Sequence, residues 1–523
     1  MRFIVSFTLV LVFAASTAGA RGAGIDAAMA KIQARPELRH AIVAAEVYDL
    51  DTKQPLYRHN SRQLMEAAST TKLLTEGTSL ALLGPAFTYT TPVYRTGNID
   101  ASGTLHGDLV LVASGDPNLS QRIKPDGTLS FENEDHSYDG TYDTAAVPGD
   151  PLAVLRDLAA QVAKSGVKHI DGSVVVDTAL FPDAGPENGT GAIVSPIVVN
   201  DNLVDVTVTP GERPGAPVTI AVSPQTPYVT FVNQATTAAA KTEPTLDMND
   251  DVTNPNGTRT VTIKGMQPAG APMLYAYRVP EPRLFAQAAF TVALEEAGIT
   301  VAAGAKAPAF RHDTAVTSYT PLDLVAQHVS MPLAQDAYIT LKVSDNLHAD
   351  LMPYMWAIYV AHVKTGLLKS AFSQEHQLLT DAGLDLSGAS QQDGLGSSAF
   401  FSPDFMVHYL AWARGQPWYP ALLHGLPTLG VDGTLFDIQN DSPAKGKVFA
   451  KTGTWGSDNA LNGDGLVTKG LAGFVTTTSG RHVAFAFYIN RMAGKQSVDS
   501  SKDGAHAAGE MLGAMATATY LSL

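Results

Sequence analysis

The sequence predicts a multidomain α+β protein in which a domain of helices and strands is interrupted by a long β-rich insertion. A hairpin and a helix are predicted before about residue 88, strands dominate from about 88 to 308, and helices return after 321. The length of 523 residues allows several domains of ordinary size. An apolar share of 45% excludes a disordered chain, because it is enough to build a core.

Charge and composition exclude several classes of function. The chain has 35 Lys and Arg against 50 Asp and Glu, a formal net charge of −15, so we expect no nucleic-acid partner and no broad basic membrane-binding surface. It has no cysteine, which excludes disulfides, thiol nucleophiles, iron–sulfur clusters and cysteine-ligated zinc. The fold is therefore expected to rely on its core alone.

Residues 1–20 have the pattern of a secretory signal peptide. Arg2 supplies a positive start, Phe3–Ala15 is almost entirely apolar, and Ala18–Ala20 has the small residues of a cleavage site. The alternative is a retained N-terminal anchor, but the apolar run is short for a membrane span. We expect a mature chain that begins near Arg21, has no membrane span, and is exported to the periplasm or secreted.

Local patterns assign the elements of the first part of the chain and of the insertion. Two β-rich runs flank a polar turn in Ile42–Tyr57, which predicts a hairpin. A helix is predicted over Ser69–Leu82, because Gly84 and Pro85 follow it directly. In the insertion, helices are predicted only at Leu152–Lys164 and Pro282–Ala297, between many short β-branched runs.

The last part of the chain is predicted to combine helices with a final group of strands. Helices are expected at Pro332–Lys342 and Gly504–Tyr520. The strands are expected at Val448–Lys451, Leu471–Thr477 and His482–Ile489.

The first of three short motifs with catalytic potential is Ser69–Lys72, of the form Ser-x-x-Lys. A serine hydroxyl is a weak nucleophile unless a base takes its proton. Positions i and i+3 share one helix face, so Lys72 can reach the Ser69 hydroxyl. The same pattern at Ser165–Lys168 and Ser442–Lys445 has Gly or Pro inside the turn, which prevents a rigid helical pair. The alternative for Ser69 is an ordinary helix N-cap.

The second motif is Ser344–Asn346, after the helix predicted at Pro332–Lys342. The hydroxyl of Ser344 can relay a proton, and the side-chain amide of Asn346 can hold a substrate amide. The same triplet occurs at Ser457–Asn459 in a Gly-rich loop. Either triplet alone is also typical of a turn or a helix cap.

The third motif is Lys451–Thr454, which closes an apolar strand. A cation and a hydroxyl, Lys451 and Thr452, suit a substrate carboxylate. Gly453 permits close backbone approach, and the backbone N–H that follows, at Thr454, can help to stabilise an oxyanion. The copy at Lys364–Gly366 follows a helical stretch, where Lys and Gly predict a helix C-terminus.

The order of the three motifs is far more specific than any one of them. It is the constellation of the penicillin-interacting serine hydrolases. The sequence resembles the class C, low-molecular-mass penicillin-binding proteins, the D-alanyl-D-alanine carboxypeptidase/endopeptidase family. The stretch between residues 69 and 344 is much longer than in β-lactamases, and that family carries a large insertion there. Further matches to the family are Ser114–Leu119, Ile170–Gly172, Val199–Asn202, Ser344–Ala349 and Gly430–Leu435.

One segment departs from the family pattern. Asp393–Ser398 reads Asp-Gly-Leu-Gly-Ser-Ser, where the family usually has Asp-Gly-Ser-Gly-Leu-Ser. The shape of the nearby cleft wall is therefore expected to differ from that of the family.

The resemblance implies a division of the chain into domains. A transpeptidase-like domain, related to the serine β-lactamases, has a five-stranded antiparallel sheet between helices and is formed by residues 21–95 and 320–523. A β-rich domain II is inserted at 96–319, and a domain III is nested within it at about 201–280.

The resemblance also implies a serine-type D-Ala-D-Ala carboxypeptidase that uses no metal and no cofactor. Where the cleft has room beyond the terminal D-alanine, it implies a peptidoglycan DD-endopeptidase as well. The implied partners are peptidoglycan stem peptides and, as inhibitors, β-lactams that acylate Ser69. The implied catalytic residues are Ser69, Lys72, Ser344 and Lys451. The implied substrate-binding residues are Asn346, Thr452, Gly453 and Thr454.

Two other functions stay open from the sequence. A β-lactam or ester hydrolase on the same fold would turn over a chromogenic β-lactam rapidly. A non-catalytic cell-wall-binding protein would need none of the motif residues, and their presence argues against it.

Three groups of titratable residues invite a metal or base assignment, and each has a simpler interpretation. Phe131–Asp143 imitates a calcium loop, but its ligand spacing matches poorly, so a solvated loop is predicted. His506 and Glu510 have helical ligand spacing and are predicted to be a solvent-facing pair. His348 is predicted to pack or hydrogen-bond beside the second motif and not to act as a base.

Overall fold

The computed structural model describes residues 17–302, 319–461, 463–495, 497 and 503–523. Residues 1–16 of the predicted signal peptide lie outside these ranges, and helix α1 (Thr17–Gln33) continues across the predicted cleavage point. The sequence pattern of residues 21–33 predicts no helix or strand. Among the described residues, no helix has both the length and the apolar character needed to span a membrane.

The first and last parts of the chain supply the main sheet and its flanking helices. Those of the first part are α1, β1 (Ile42–Asp49), β2 (Gln54–His59), β3 (Met65–Glu66) and α2 (Lys72–Leu82). The helices of the last part are α5 (Leu333–Val343), α6 (Asn346–Met355), α7 (Leu367–Asp381), α8 (Pro403–Arg414), α9 (Tyr419–Gly425) and α10 (Gly504–Ser522). Its strands are β21 (Ala389–Ser390), β22 (Phe400–Phe401), β23 (Val448–Ser457), β24 (Gly465–Thr476) and β25 (His482–Gly494).

The main sheet is antiparallel, with strand order β2–β1–β25–β24–β23. Side chains alternate between its faces, as the pleat requires. On β25, Phe485 and Phe487 pack with α1 and α10, whereas Ala486 and Tyr488 pack with α2 and α8. The sheet therefore lies between two layers of helices, and the predicted fold class is confirmed.

The insertion contains two helices and many short strands. The helices are α3 (Ala153–Lys164) and α4 (Pro282–Glu296). The strands up to residue 194 are β4 (Thr90–Arg95), β5 (Thr104–Leu105), β6 (Leu109–Val112), β7 (His169–Ile170), β8 (Val174–Asp177), β9 (Gly185–Pro186) and β10 (Ile193–Val194). The later ones are β11 (Leu203–Thr209), β12 (Thr219–Ser223), β13 (Val229–Asn233), β14 (Thr236–Ala238), β15 (Asp247–Thr253), β16 (Arg259–Lys264), β17 (Met266–Pro268), β18 (Met273–Arg278), β19 (Thr300–Val301) and β20 (Leu324–Val329).

The pairing of these strands bears on the proposed domain division. A four-stranded sheet, β20–β4–β6–β8, packs with α3 and α4, and two of its strands, β4 and β20, lie just outside residues 96–319. Among the described residues, the strands β11 to β18 pair only with one another. The boundaries at 96–319 and 201–280 stay predictions.

The predicted elements of the last part are present, with two differences. Strands β23 and β24 extend well beyond their apolar centres, because their polar and Gly-rich ends remain paired as far as Ser457 with Leu466. The helical stretch before Lys364 ends earlier than predicted, at Val360, and His362 adopts the left-handed conformation with φ 54°. Gly366 instead precedes α7, so its assignment as the C-terminal cap of the earlier helix is wrong.

Candidate active site

The first motif lies in a 3₁₀ turn, Ala68–Thr71, that leads directly into α2. Ser69 is half-buried, Lys72 is fully buried, and the Lys72 Nζ lies 2.9 Å from the Ser69 Oγ. The residues in the N-cap positions of the turn and the helix are Ala67 and Thr71, and neither makes a side-chain cap. The N-cap alternative for Ser69 is therefore wrong, and the lysine next to this hydroxyl is one helical turn away, as the spacing predicts.

The second motif forms the sharp junction between α5 and α6. Ser344 ends α5 in the left-handed conformation, with φ 67°. Asp345 caps α6 by accepting the backbone N–H of His348 at 2.8 Å, so the cap interpretation is correct for this residue. The same geometry turns Ser344 and Asn346 toward Lys72, whose Nζ lies 3.3 Å from the Ser344 Oγ and 2.5 Å from the Asn346 Oδ1.

The third motif is the edge of the main sheet, since β23 is its last strand. The Lys451 Nζ lies 2.9 Å from the Ser344 Oγ and 2.9 Å from the Thr452 carbonyl oxygen. The Ser344 hydroxyl thus lies between two lysines. Because a hydroxyl can donate one hydrogen bond and accept others, it can pass a proton from one lysine to the other.

The rest of the third motif lies against the turn that carries Ser69. A Cβ at Gly453 would be 2.5 Å from the Ala67 carbonyl oxygen and 3.2 Å from the Ser69 backbone nitrogen, so only glycine fits here. The Thr452 carbonyl bonds to a side chain at the open edge. Since backbone direction alternates along a strand, the N–H of Thr454 points to the same edge. The motif therefore presents polar backbone beside Ser69.

Burial controls the charges of the two lysines. It lowers the pKa of Lys72 to about 8, although the nearby carboxylates of Asp345 and Glu187 favour the charged form. The pKa of Lys451 is held well below its usual range, first by burial and then by the positive charges of Lys72 and Lys469. A carboxylate placed beside Lys451 would raise its pKa again, because a nearby negative charge stabilises the ammonium form.

Residues of all three motifs line a cleft of about 690 Å³, namely Ser69, Ser344, Asn346, Thr452 and Thr454. One wall comes from Phe131–Asp143, and the Tyr138 hydroxyl donates to the Ser344 carbonyl oxygen at 2.9 Å. Within this segment, His136 is completely buried. The prediction of a solvated loop is therefore wrong, because its polar groups pair with residues far away in the chain.

A second wall, which the sequence analysis did not find, comes from the turn after Glu187. The Glu187 carboxylate accepts the backbone N–H groups of Gly189, Thr190 and Gly191 at 2.6, 2.5 and 2.5 Å. This folds the turn onto the site so closely that a Cβ at Gly189 would be 2.0 Å from the Asn346 Nδ2. The run Glu-Asn-Gly-Thr-Gly is a turn signal, but nothing in it indicates a contact with the second motif.

The segment that departs from the family pattern also lines the cleft, through Leu395 and Gly396. Asp393 holds it by accepting the backbone N–H groups of Gly396 at 2.6 Å and Ser397 at 3.1 Å. The Asn188 Nδ2 lies 3.3 Å from the Ser397 Oγ, so the insertion and this segment meet at the mouth of the cleft.

The histidines singled out in the sequence have ion-pair partners. The His348 Nε2 lies 3.0 Å from the Asp201 Oδ1, so its predicted hydrogen-bonding role is confirmed. His506 and Glu510 are half-buried and contact the segment around Asp437, so the solvent-facing pair is wrong.

Two overlapping groups of the described residues bring possible metal-binding atoms within 4.8 Å of one another. They are Asp135, His136 and Asp201, and Asp201, Asp345 and His348. The nitrogens of both histidines face carboxylate oxygens within 3.0 Å. The histidine nitrogens of both groups therefore already have carboxylate partners, and two of these, Asp205 and Asp336, lie outside the groups.

Comparison with known proteins identifies first the class and then the family. The fold is that of the penicillin-binding proteins. The crystal structure of penicillin binding protein 4 (dacB) from Haemophilus influenzae matches with a TM-score of 0.68 and 22% identity over 94% of this chain and 98% of that one. A complex of the same protein with a β-lactam matches with a TM-score of 0.67 and 22% identity, over 94% and 99%.

The family follows from the sequence match. The D-Ala-D-Ala carboxypeptidase 3 (S13) family matches residues 25–510, and the chain belongs to it. A relative from Actinomadura sp., named D-alanyl-D-alanine carboxypeptidase, is 28% identical over 86% of this chain and 80% of its own length.

Proposed function

We propose that this protein is an exported serine-type D-Ala-D-Ala carboxypeptidase that acts on peptidoglycan stem peptides and also cleaves crosslinks as a DD-endopeptidase. One observation carries the proposal: the Ser69 Oγ lies 2.9 Å from a buried lysine that is itself linked through Ser344 to a second buried lysine. Family membership and the name of the Actinomadura relative support the substrate. Residues 1–20 supply the export signal.

Acylation begins with the Ser69 hydroxyl. Neutral Lys72 takes its proton while the Oγ attacks the carbonyl carbon between the two D-alanines. The backbone N–H groups of Ser69 and Thr454 stabilise the oxyanion of the tetrahedral intermediate. When the C–N bond breaks, the departing amine of D-alanine receives a proton through Ser344. The product is an ester between Ser69 and the shortened peptide.

Deacylation repeats these steps with water. A water molecule loses a proton to the same lysine and serine network and attacks the ester carbonyl. The second intermediate then expels the Ser69 oxygen, which recovers its proton from Lys72. The net reaction consumes one water and releases one D-alanine, and each residue returns to its starting state.

Substrate orientation is assigned to the remaining motif residues. Lys451 and Thr452 hold the terminal carboxylate at the edge of β23, and Asn346 binds the side amide of the peptide. Gly453 keeps this edge close to Ser69. A β-lactam offers a similar amide and carboxylate, and so it should acylate Ser69 and be released slowly. The complex of the Haemophilus influenzae protein with a β-lactam supports this.

The test is mass spectrometry of the intact protein and of its peptides after incubation with penicillin. We expect one adduct per chain on the Ser69 peptide of the wild type and no adduct with Ser69→Ala. The wild type should release D-alanine from an acyl-D-Ala-D-Ala peptide, and Ser69→Ala should not. Ser165→Ala is the matched control, since Ser165 begins the same four-residue pattern at the exposed end of α3.

Three results would overturn the proposal or change it. An unmodified wild-type protein would favour a non-catalytic wall-binding role. Rapid turnover of a chromogenic β-lactam with no release of D-alanine would favour a β-lactam hydrolase. An adduct that persists in Ser69→Ala would place the nucleophile elsewhere.

A further inference from the structure

The buried histidine of the acidic segment carries two carboxylate contacts. The His136 Nδ1 lies 2.7 Å from the Asp205 Oδ1, and its Nε2 lies 2.6 Å from the Asp201 Oδ2. A neutral imidazole has one N–H and one lone pair, whereas an ionised carboxylate only accepts hydrogen bonds. Two such contacts on one buried ring therefore require both nitrogens to be protonated, and His136 is a cation.

A second buried histidine continues the series. The other carboxylate oxygen of Asp201 receives the His348 Nε2 at 3.0 Å, and the His348 Nδ1 lies 2.9 Å from the Asp336 Oδ1. The five residues Asp205, His136, Asp201, His348 and Asp336 thus form a row of alternating carboxyl and imidazole groups, and we call them the charge chain. Asp201 is its most exposed side chain, at 16%.

The charges support one another energetically. Burial opposes the charged form of His136, but Asp205 and Asp201 outweigh it and raise the pKa of His136 well above its usual value. Burial likewise opposes ionisation of Asp201, but the hydrogen bonds from His136 and His348 lower its pKa. Removal of the central charge would leave two buried cations each short of an anion.

Asp201 is held at the centre by an unusual backbone. Asn200, Asp201 and Asn202 all adopt the left-handed conformation, with φ 51°, 54° and 54°. This conformation is unfavourable for residues other than glycine and persists only where the surroundings impose it. Here the Ser120 hydroxyl accepts the Asn200 N–H at 2.9 Å, and the Arg122 guanidinium donates to the Asn200 side chain.

The charge chain reaches the second motif through His348. His348 lies in the first turn of α6, and its N–H is the group that Asp345 caps. The same helix begins at Asn346, which contacts Lys72, and starts two residues after Ser344, which contacts Lys451. A shift of His348 would therefore move two of the groups on which the proposed reaction depends.

We propose that the charge chain is a positioning device, through which the insertion holds Ser344 and Asn346 in register with Lys72 and Lys451. Asp201, His136 and His348 are its positioning residues, and none of them is assigned a contact with substrate. The inference rests on the proposed function, because the position of Ser344 and Asn346 matters for the rate only if both residues take part in the proposed reaction.

The chain contains a matched control for this device. His106 also bridges two aspartates, with its Nδ1 3.0 Å from Asp171 and its Nε2 3.1 Å from Asp100. It lies in the same insertion, but its side chain is 54% exposed and does not line the cleft. If one of these exposed charges is removed, water solvates the groups that remain. The substitution should therefore change the reaction rate little.

The experiment compares Asp201→Asn with Asp171→Asn in the full-length protein. The concentration of acylatable sites is titrated with penicillin, and kcat for D-alanine release and the acylation rate constant are expressed per site. We expect at least a tenfold fall in both for Asp201→Asn and less than a twofold change for Asp171→Asn. A role in stability alone would lower the number of sites or the unfolding temperature and leave the rate per site unchanged.

Two further measurements cover the case in which Asp201→Asn does not fold. His136→Gln, which lies farther from the motif, should show the same loss per site. In the wild type at neutral pH, ¹⁵N NMR of the imidazoles should show His136 and His348 doubly protonated. Neutral rings, or an unchanged rate per site in a folded variant, would overturn the inference. A wild type that forms no adduct would overturn the proposed function instead.

Discussion

Two segments of this chain, Ser344–Asn346 and Ser457–Asn459, carry the same triplet in opposite surroundings. The first is buried at the junction of two helices, and its serine and asparagine contact Lys72. The second begins at Ser457, the last residue of β23. Ser457 and Asp458 are exposed, and the Asn459 side chain accepts the backbone N–H of Leu461 at 3.0 Å. In both places the triplet lies where a regular element ends. Only the first copy has the long-range contacts that make it a candidate site.

Two of the three copies of Ser-x-x-Lys, those at Ser69 and Ser165, differ in the same way. Ser69 and Lys72 lie on one face of a turn and contact each other, whereas the Ser165 Oγ donates to the Val162 carbonyl at 2.7 Å, at the end of α3. Gly166, at φ 99°, reverses the chain between Ser165 and Lys168, as the glycine in the pattern predicts. Substitution of equivalent residues in the two copies therefore separates chemistry from structure.

The largest contrast is expected between Lys72→Met and Lys168→Met. If Lys72 is the base, its removal should slow acylation by penicillin about 10³-fold, the usual contribution of a positioned general base. Methionine preserves most of the apolar volume, so the fold should remain. Stopped-flow acylation and circular dichroism measure the two effects. Lys168→Met should match the wild type, and equal losses in both variants would refute the assignment of Lys72.

Asn346→Ala and Asn459→Ala form the second pair. Asn346 loses a contact with Lys72 and its proposed contact with the substrate amide, so kcat/KM for a D-Ala-D-Ala peptide should fall about 10- to 100-fold. Asn459→Ala removes only a local cap and should leave kcat/KM within about twofold of the wild type. An Asn346→Ala enzyme with unchanged kcat/KM would show that the first triplet is no more functional than the second.

The motifs were predictable because their spacing is local. The spacing of Ser69 and Lys72 places both residues on one face of a helix. The order of the three motifs indicates the family, and the family implies the five-stranded sheet. Helix α1 was not predicted, because its run of Ala and Gly has no clear apolar period.

The acidic wall of the cleft was beyond prediction for a different physical reason. A stretch rich in Asp, Glu and Tyr has the composition of a solvated loop. Its burial depends on partners far along the chain, such as Ser344 for Tyr138 and Asp205 for His136. The sequence around Gly189 predicts a turn but does not indicate that the turn contacts Asn346.

The pH dependence of acylation provides a test that changes no residue. In the proposed mechanism Lys72 must be neutral to accept the proton, and burial lowers its pKa to about 8. Below that pH the neutral fraction falls about tenfold per unit, so kcat/KM or the acylation rate should rise from pH 6 to 8 and then level off. The Lys72→Met variant, measured in the same buffers, should lack this rise. A rate that falls as the pH increases over this range would exclude a neutral lysine as the base.

The smallest expected effect comes from Gly189→Ala. A Cβ there overlaps the Asn346 Nδ2 at 2.0 Å, but Gly189 is exposed and its turn can yield, so we expect only about a fivefold loss in acylation rate, near 1 kcal/mol. Gly415→Ala is the control, because its Cβ would meet only the Trp412 carbonyl oxygen at 3.4 Å. If the effect acts through Asn346, Gly189→Ala should cause no further loss in an Asn346→Ala background. Additive losses would mean that the turn acts on the cleft by another route.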